Sequence, residues 1–228
     1  TQNDFLIYSA KNSTKGNYPR YFLDEASFWT VVGVNNDVKE ALINADGMVE
    51  VEKAKFSIEP LLKVEDQFFN WANVNPTQLL EENYLPIPSV TWQCAGIELE
   101  TKIFANGEAN INSNLYLSYK LKNTSLVSKS GSIFLLIRPY QVNPHYQFLN
   151  LPGGTGKINS ISENDRKIII DDKLIIPVTK FNSFSAAAFD EGNIVELIVE
   201  GNLPDQKNVV DKTSLANGVI RYDYNLNP

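Results

Sequence analysis

A cluster of polar and aromatic side chains just after residue 137 is the best candidate for a functional site in this sequence. It follows a continuous apolar run, Ile133 to Ile137. A guanidinium and amides can orient hydroxyl groups, and an aromatic ring can pack on the apolar face of a sugar. The pattern therefore predicts a site that binds carbohydrate or contacts another domain. Its candidate residues are Arg138, Tyr140, Gln141, Asn143 and His145.

Histidine and cysteine each occur once, as His145 and Cys94. This count excludes an internal disulfide, a cysteine-based metal site and the usual zinc ligand sets. His145 could act as a general base, but no nucleophile motif such as Gly-x-Ser-x-Gly accompanies it. A partner in a hydrogen-bonded loop is the plainer interpretation, and we expect no metal, no cofactor and no catalytic residue in this chain.

Trp71 is a further candidate for stacking on a sugar ring. It lies beside Asn70 and Asn73 in the least regular stretch of the chain. Most tryptophans in a β-sandwich belong to the core, yet these irregular surroundings predict that Trp71 is the most exposed of the three.

The sequence lacks the patterns required for a phosphate-binding loop and for a catalytic pair of carboxylates. The glycines at 153–157 lack the spacing of a phosphate-binding loop. The adjacent acidic pairs point to opposite faces of a strand or lie in turns, so none is a catalytic couple by itself.

The elements that would position these candidates are almost all strands. Residues 97–103 alternate apolar and polar side chains, and Asn106-Gly107 is predicted to turn the chain into a second alternating strand that ends near Leu121. The sequence Ala45-Asp46-Gly47 predicts another hairpin turn. The apolar run before Arg138 is typical of a central strand that is covered on both faces.

A few stretches are predicted to depart from this pattern or to end it. We expect one short helix over residues 77–82 and a break at Pro60 in the strand structure of residues 55–70. Phe184–Phe189 and Ile194–Val199 are expected to pair as a hairpin.

About a dozen strands with little helix predict an all-β fold, a large antiparallel two-sheet sandwich. The 228 residues suffice for a single domain with a substantial core. We expect residues 1–228 to be one sandwich domain, the N-terminal fragment of a longer multidomain protein. The polar residues 219–228 are predicted to begin a linker.

The charge of the chain limits its partners. Its net charge is −7 and its isoelectric point is near 4.8. Such a chain repels phosphate backbones, so we expect no nucleic-acid partner, whereas the acidity suits a neutral ligand such as a sugar. No stretch has the length of a transmembrane helix, and residues 1–10 lack the form of a signal peptide. An exported chain would already have lost its signal.

Five stretches carry a family resemblance: NYPRYFL at 17–23, FWTVVGV at 28–34, LPIPSVTW at 85–92, RPYQVNP at 138–144 and QFLNLPGG at 147–154. Together they resemble the N-terminal β region of large bacterial proteins whose later part is a six-hairpin α/α barrel of the glycosidase type. Some of these proteins also carry a discoidin-type module.

The resemblance implies a galactose-mutarotase-like "supersandwich", the β-domain that precedes the barrel in many carbohydrate-active enzymes. Such a domain packs on the downstream α/α barrel and can contribute loops to its substrate cleft, while the catalytic acids belong to the barrel. No catalytic residue of the family maps onto this chain. We place the barrel contact in residues 138–154 and expect a periplasmic or extracellular location, with the cytoplasm as the alternative.

Three hypotheses follow. The first is a non-catalytic domain of a glycoside hydrolase-like protein that supports the barrel. The second is an independent carbohydrate-binding module that uses Trp71 or Tyr140 to bind an oligosaccharide or polysaccharide. The third is a mutarotase-type enzyme that relies on His145.

Overall fold

The structure is a computed structural model that describes all residues, Thr1–Pro228. It contains two α-helices, α1 (Gln2–Lys11) and α2 (Ile194–Glu200), and two 3-10 turns at Arg20–Leu23 and Phe189–Glu191. The strands are β1 (Trp29–Gly33), β2 (Glu40–Asn44), β3 (Val49–Glu50), β4 (Ser57–Val64), β5 (Gln67–Phe69), β6 (Thr77–Glu81), β7 (Leu85–Cys94), β8 (Ile97–Glu108), β9 (Asn112–Asn123), β10 (Lys129–Arg138), β11 (Ser160–Asn164), β12 (Lys167–Ile170), β13 (Lys173–Ile175), β14 (Ser183–Ala187), β15 (Asn208–Val210) and β16 (Asn217–Leu226).

The strands form three antiparallel sheets. Sheet A is the largest, with the order β1-β2-β3-β4-β10-β16-β14 and with β5 paired to β4. Sheet B is the meander β6-β7-β8-β9, and sheet C has the order β13-β12-β11-β15. Sheets B and C pack on the same face of sheet A and enclose the main hydrophobic core, so the predicted all-β antiparallel sandwich is confirmed.

Strand β10 lies in the middle of sheet A, as the apolar run predicts. It pairs with β4 on one side and with β16 on the other. Ile133, Leu135 and Ile137 point into the main core, while Phe134 and Leu136 point to the opposite face of the sheet. A strand that is buried on both faces needs no polar alternation, and its sequence shows none.

The opposite face of sheet A is covered by helices, which the sequence analysis does not predict. Helix α2 buries Ile194, Val195 and Ile198 on this face. Helix α1 packs Leu6 and Ala10 against Tyr21 and Phe22, close to the segment that follows β10. Neither helix has the length and the continuous apolarity that crossing a bilayer requires.

The hairpin predicted for residues 184–199 is wrong in its second half. Its first part is strand β14, but residues 194–200 are helix α2. The Asn193 side chain caps this helix by accepting the Val195 N–H at 2.9 Å, and Gly201 ends it with a left-handed φ of 74°. Because both caps are present, a short apolar run that could form a strand forms a helix instead.

The helix predicted for residues 77–82 is also wrong, because residues 77–81 form β6 and Glu82 lies in the turn that follows. Their backbone pairs with β7, and Glu82 and Asn83 close the hairpin with φ angles of 51° and 66°. Positive φ at both central residues gives the turn that matches strand twist. Pairing with a long neighbouring strand therefore overrides the local helical pattern.

Three smaller predictions also need correction. Pro60 does not break β4, because it lies between the residues that pair with β3 and those that pair with β5, where no ladder bond is lost. The chain does not turn at Asn106-Gly107, because β8 and β9 stay paired as far as Glu108 and Asn112. Residues 219–228 are no linker: most of them belong to β16, which pairs with β10 on one side and with β14 on the other.

Candidate functional site

Five of the six candidate residues lie in one segment, residues 138–156, which we call the anchored loop; Trp71 lies elsewhere. Its two arms are hydrogen-bonded to each other beyond the end of β10. The Gln141 N–H donates to the Gly154 carbonyl at 2.8 Å, and the Gly154 N–H donates to the Asn143 carbonyl at 2.7 Å. The Gly156 N–H donates to the Pro139 carbonyl at 2.9 Å. The base of the loop is therefore a short continuation of the β-structure.

Arg138 lies inside the protein, with only 1% of its surface exposed. Its Nε donates to the Glu59 carboxylate, and one terminal nitrogen donates to the Asn17 carbonyl. Its guanidinium carbon lies 4.7 Å from the centroid of the Tyr140 ring. The other terminal nitrogen has no partner. The guanidinium is thus surrounded by protein groups and does not reach solvent.

The other polar groups of the cluster stabilise the loop itself. The Gln141 amide donates to the carbonyls of Pro152 and Thr155 at 2.9 and 2.8 Å. Tyr140, Gln141 and Asn143 are all buried. The sequence predicts that these side chains meet a ligand or another domain. Instead, Gln141 and Asn143 donate to carbonyls of their own loop, and the Tyr140 ring packs on Phe22 and Tyr18.

Glu50 is a residue of this region that the sequence analysis misses. The alternation around residues 50–52 suggests a half-exposed strand, but Glu50 is fully buried. Its carboxylate accepts the N–H groups of Ala54 and Val142 at 2.5 and 2.6 Å and that of Asn143 at 3.4 Å. Burial raises the pKa of Glu50, and these backbone donors partly offset the rise. The carboxylate joins β3 to the anchored loop.

Two further residues fix the loop from the N-terminal side. The Tyr21 hydroxyl donates to the Gln141 carbonyl at 2.6 Å. The Asn3 side chain, on α1, donates to the Gly153 carbonyl and accepts the Thr155 N–H, both at 2.9 Å. These contacts join residues about 120 to 152 positions apart, so no local pattern in the sequence could reveal them.

His145 is half-buried beside the same aromatic cluster. Its ring stacks on Phe22 at a centroid distance of 5.8 Å, and its Nδ1 has no hydrogen-bond partner. No carboxylate is hydrogen-bonded to the ring; Asp24 and Asp4 act on it only through their charge. The arrangement lacks the orienting acid that a catalytic histidine uses.

The pKa of His145 is lowered from its ordinary 6.5, chiefly because burial disfavours the imidazolium. A lowered folded-state pKa stabilises the fold above 6.5, and this contribution is lost as the pH falls through the folded-state value. We expect the only imidazole Cε1–H resonance of the chain to titrate at lower pH in the folded protein than in urea. An equal or higher folded-state pKa would contradict this placement of the ring.

The prediction that Trp71 is exposed is wrong, because only 6% of its surface is exposed. Its Nε1 donates to the Tyr18 carbonyl at 2.9 Å. The cations of Arg20 and Lys15 lie over its ring, 4.8 and 5.4 Å from the centroid. Arg20 is held in turn by a two-pronged ion pair with Asp46. The irregular backbone around Trp71 therefore surrounds an inserted ring and leaves no ring face free for a sugar.

The tip of the anchored loop is its exposed part. Here Phe148 bridges to Pro152, and the Leu149 N–H donates to the Leu151 carbonyl at 3.3 Å. Three large apolar side chains, Tyr146, Phe148 and Leu151, are exposed, Phe148 with 70% of its surface. The sequence predicts a domain contact in this segment, but on the polar side chains of the base rather than on the apolar tip.

No three of the chain's histidine, cysteine, aspartate and glutamate side chains converge to hold a metal ion. The anchored loop thus has a buried polar base and an exposed apolar tip. Comparison of the sequence with models of known protein families gives no match, and comparison with curated proteins gives none either.

Proposed function

We propose that this chain is a non-catalytic β-sandwich domain of a carbohydrate-active, glycoside hydrolase-like protein. In this proposal it packs against an α/α barrel of the same polypeptide. The observation that supports it is the anchored loop, which presents Tyr146, Phe148 and Leu151 to solvent from a buried, hydrogen-bonded base. Two of the five stretches that carry the family resemblance lie on this loop.

The chemistry of the loop suits packing better than catalysis. Aromatic side chains on a pre-ordered loop can bury a large apolar area and lose little conformational entropy on binding. The buried carboxylates beside the loop are engaged within the fold: Glu59 pairs with Arg138, and Glu50 accepts backbone N–H groups. A domain built this way gives its partner a fixed apolar surface and could shape the edge of a substrate cleft.

The two alternatives have less support. An independent carbohydrate-binding module that uses Trp71 or Tyr140 needs an accessible ring face, and both residues are buried. A mutarotase-type enzyme needs an acid–base pair, and His145 has no hydrogen-bonded carboxylate.

The proposal can be tested on the polypeptide that the complete reading frame encodes. We expect backbone amides of residues 146–151 to exchange at least ten-fold more slowly there than in the 228-residue chain. The double substitution Phe148→Asp/Leu151→Asp should remove that protection, because it places charges in an apolar contact. Leu126→Asp, at a site that is 95% exposed on another loop, is the matched control and should not change it.

Three results would overturn the proposal. They are equal exchange of the loop in both proteins, a reading frame that adds no helical barrel, and turnover of a glycan by the isolated chain.

A further inference from the structure

Sheets B and C lie side by side on sheet A but do not pair with each other. An open cleft of about 1070 Å³ runs between them. One wall is formed by consecutive residues 113–119 of β9, and the other by residues 172–179, which include β13. The floor is the apolar face of sheet A, with Ile58, Leu135 and Ile220. Most residues that line the cleft are hydrophobic, 20 of 31.

The wall formed by β9 is a free sheet edge of twelve residues, because β9 pairs only with β8. The Thr124 N–H donates to the Gly96 carbonyl at 2.8 Å, and the register of the two strands is regular. In an antiparallel ladder the hydrogen-bonded residues alternate, so the even-numbered residues of β9 bond to β8. The N–H and C=O groups of the odd-numbered residues then point into the cleft, where no strand meets them.

Between residues 115 and 121, the side chains of the same odd-numbered residues are largely apolar. Leu115, Leu117, Tyr119 and Leu121 belong to the wall of the cleft and are only half-buried. The Tyr119 hydroxyl is buried but has no hydrogen-bond partner. Soluble proteins usually protect a long edge with proline, a bulge, an inward-pointing charge or edge lysines. Strand β9 has no proline, bulge or inward-pointing charge, and its lysines, Lys120 and Lys122, lie only near its C-terminal end.

The outer face of sheet B indicates which charge a neighbouring strand would carry. Glu98 lies opposite Lys122, and Glu100 lies opposite Lys120, across the β8–β9 pair. The two lysines are exposed and make no ion pair. Opposite charges on adjacent strands stabilise a sheet, and like charges destabilise it. A strand added beside β9 is therefore favoured when its outward residues are acidic.

We propose that β9 and the cleft form a strand-addition site for an extended polypeptide segment in which apolar and acidic residues alternate. The free backbone groups of the edge supply hydrogen bonds, the cleft receives the apolar side chains, and Lys120 and Lys122 select acidic ones. A second copy of the chain that paired through its own β9 would align two lysine-bearing strands, so charge disfavours it.

The test uses the 228-residue chain and two blocked nine-residue peptides, one of alternating valine and glutamate and one of alternating valine and lysine. At saturation with the glutamate peptide, we expect amide exchange to slow at least ten-fold at Leu115, Leu117 and Tyr119. The amides of Tyr116 and Ser118, already bonded to β8, should change little. The lysine peptide should bind roughly ten-fold more weakly.

Charge variants distinguish charge-selective strand addition from non-specific peptide binding. The neutral pair Lys120→Gln/Lys122→Gln should remove most of the preference for the glutamate peptide without facing Glu98 and Glu100 with new acids. Lys212→Glu, on a distant exposed loop, should leave the preference unchanged.

Four results would overturn the proposal. These are no peptide binding at millimolar concentration, equal protection of odd and even amides, and edge protection that rises with protein concentration when no peptide is present, which would indicate a second copy. The fourth is peptide displacement by a fatty acid that leaves edge exchange fast, which would indicate a site for apolar small molecules.

Discussion

Glu59→Leu should lower the free energy of unfolding by about 3–5 kcal/mol, the typical cost of removing one partner from a buried ion pair. Glu59 provides the only carboxylate that pairs with Arg138, and both side chains are almost completely buried. Without Glu59, the guanidinium stays charged in a site that water does not reach. Urea denaturation followed by circular dichroism measures the loss.

The double variant Glu59→Leu/Arg138→Met identifies the cause of this loss. It removes both charges and keeps apolar volume, so we expect it to recover most of the stability. Lys11→Met is the control, because it breaks an exposed pair with Asp24 and should cost far less than Glu59→Leu. A single Glu59→Leu variant as stable as that control would show that Arg138 is not held as described.

Glu50→Ala should have the second largest effect, a loss of about 3 kcal/mol or more. It leaves the buried N–H groups of Ala54 and Val142, and the more distant one of Asn143, without their acceptor. Each unsatisfied buried donor costs about 1–3 kcal/mol. The anchored loop should also become more sensitive to proteases near Tyr146, because one side of its base is released.

Glu52→Ala is the matched control for this experiment. Glu52 lies two residues away and pairs with Lys173 at 2.6 Å, but both side chains are partly exposed. We therefore expect a loss of at most about 1 kcal/mol and no change in loop proteolysis. Equal effects of the two substitutions would contradict a special role for the buried carboxylate.

Strands whose burial follows from their own pattern of apolar and polar residues could be predicted from the sequence. The apolar run 133–137 has no polar alternation, and it proves to be a strand covered on both faces. The alternation of residues 97–103 predicts a strand with one core face, and Ile97, Leu99 and Ile103 are buried there. In both strands the spacing of apolar residues in the sequence predicts which side chains are buried.

Helix α2 shows where such reasoning ends. Its apolar residues fit a strand as well as a helix, and the two caps, Asn193 and Gly201, decide between them. A search for capping residues would have found this helix, whereas residues 77–81 carry a helical pattern that pairing with β7 overrides. Whether a short apolar segment forms a helix or a strand is decided by its capping residues and by the strands available to pair with it.

The base of the candidate site could not be predicted, because its partners are distant in sequence. From the sequence alone, Arg138 could equally orient a ligand or pair with a carboxylate. Its actual partner, Glu59, lies 79 positions away in the chain. Trp71 lies in an irregular stretch and is nevertheless covered by Arg20. The apolar run 133–137 predicts that the polar cluster follows a buried strand, which is confirmed, but the partners of the polar groups depend on the tertiary fold.

The place of β16 in sheet A has a consequence for biosynthesis. The nine-residue pairing of β16 with β10 joins positions such as 137 and 218, and β14 reaches the sheet only through β16. A nascent chain that has been translated only as far as residue 216 therefore exposes one flank of β10 and lacks the strand that connects β14. Sheets with such long-range pairings form slowly. Sheet A therefore cannot be completed before residues 217–226 have left the ribosome, and until then the open flank of β10 can pair with another chain.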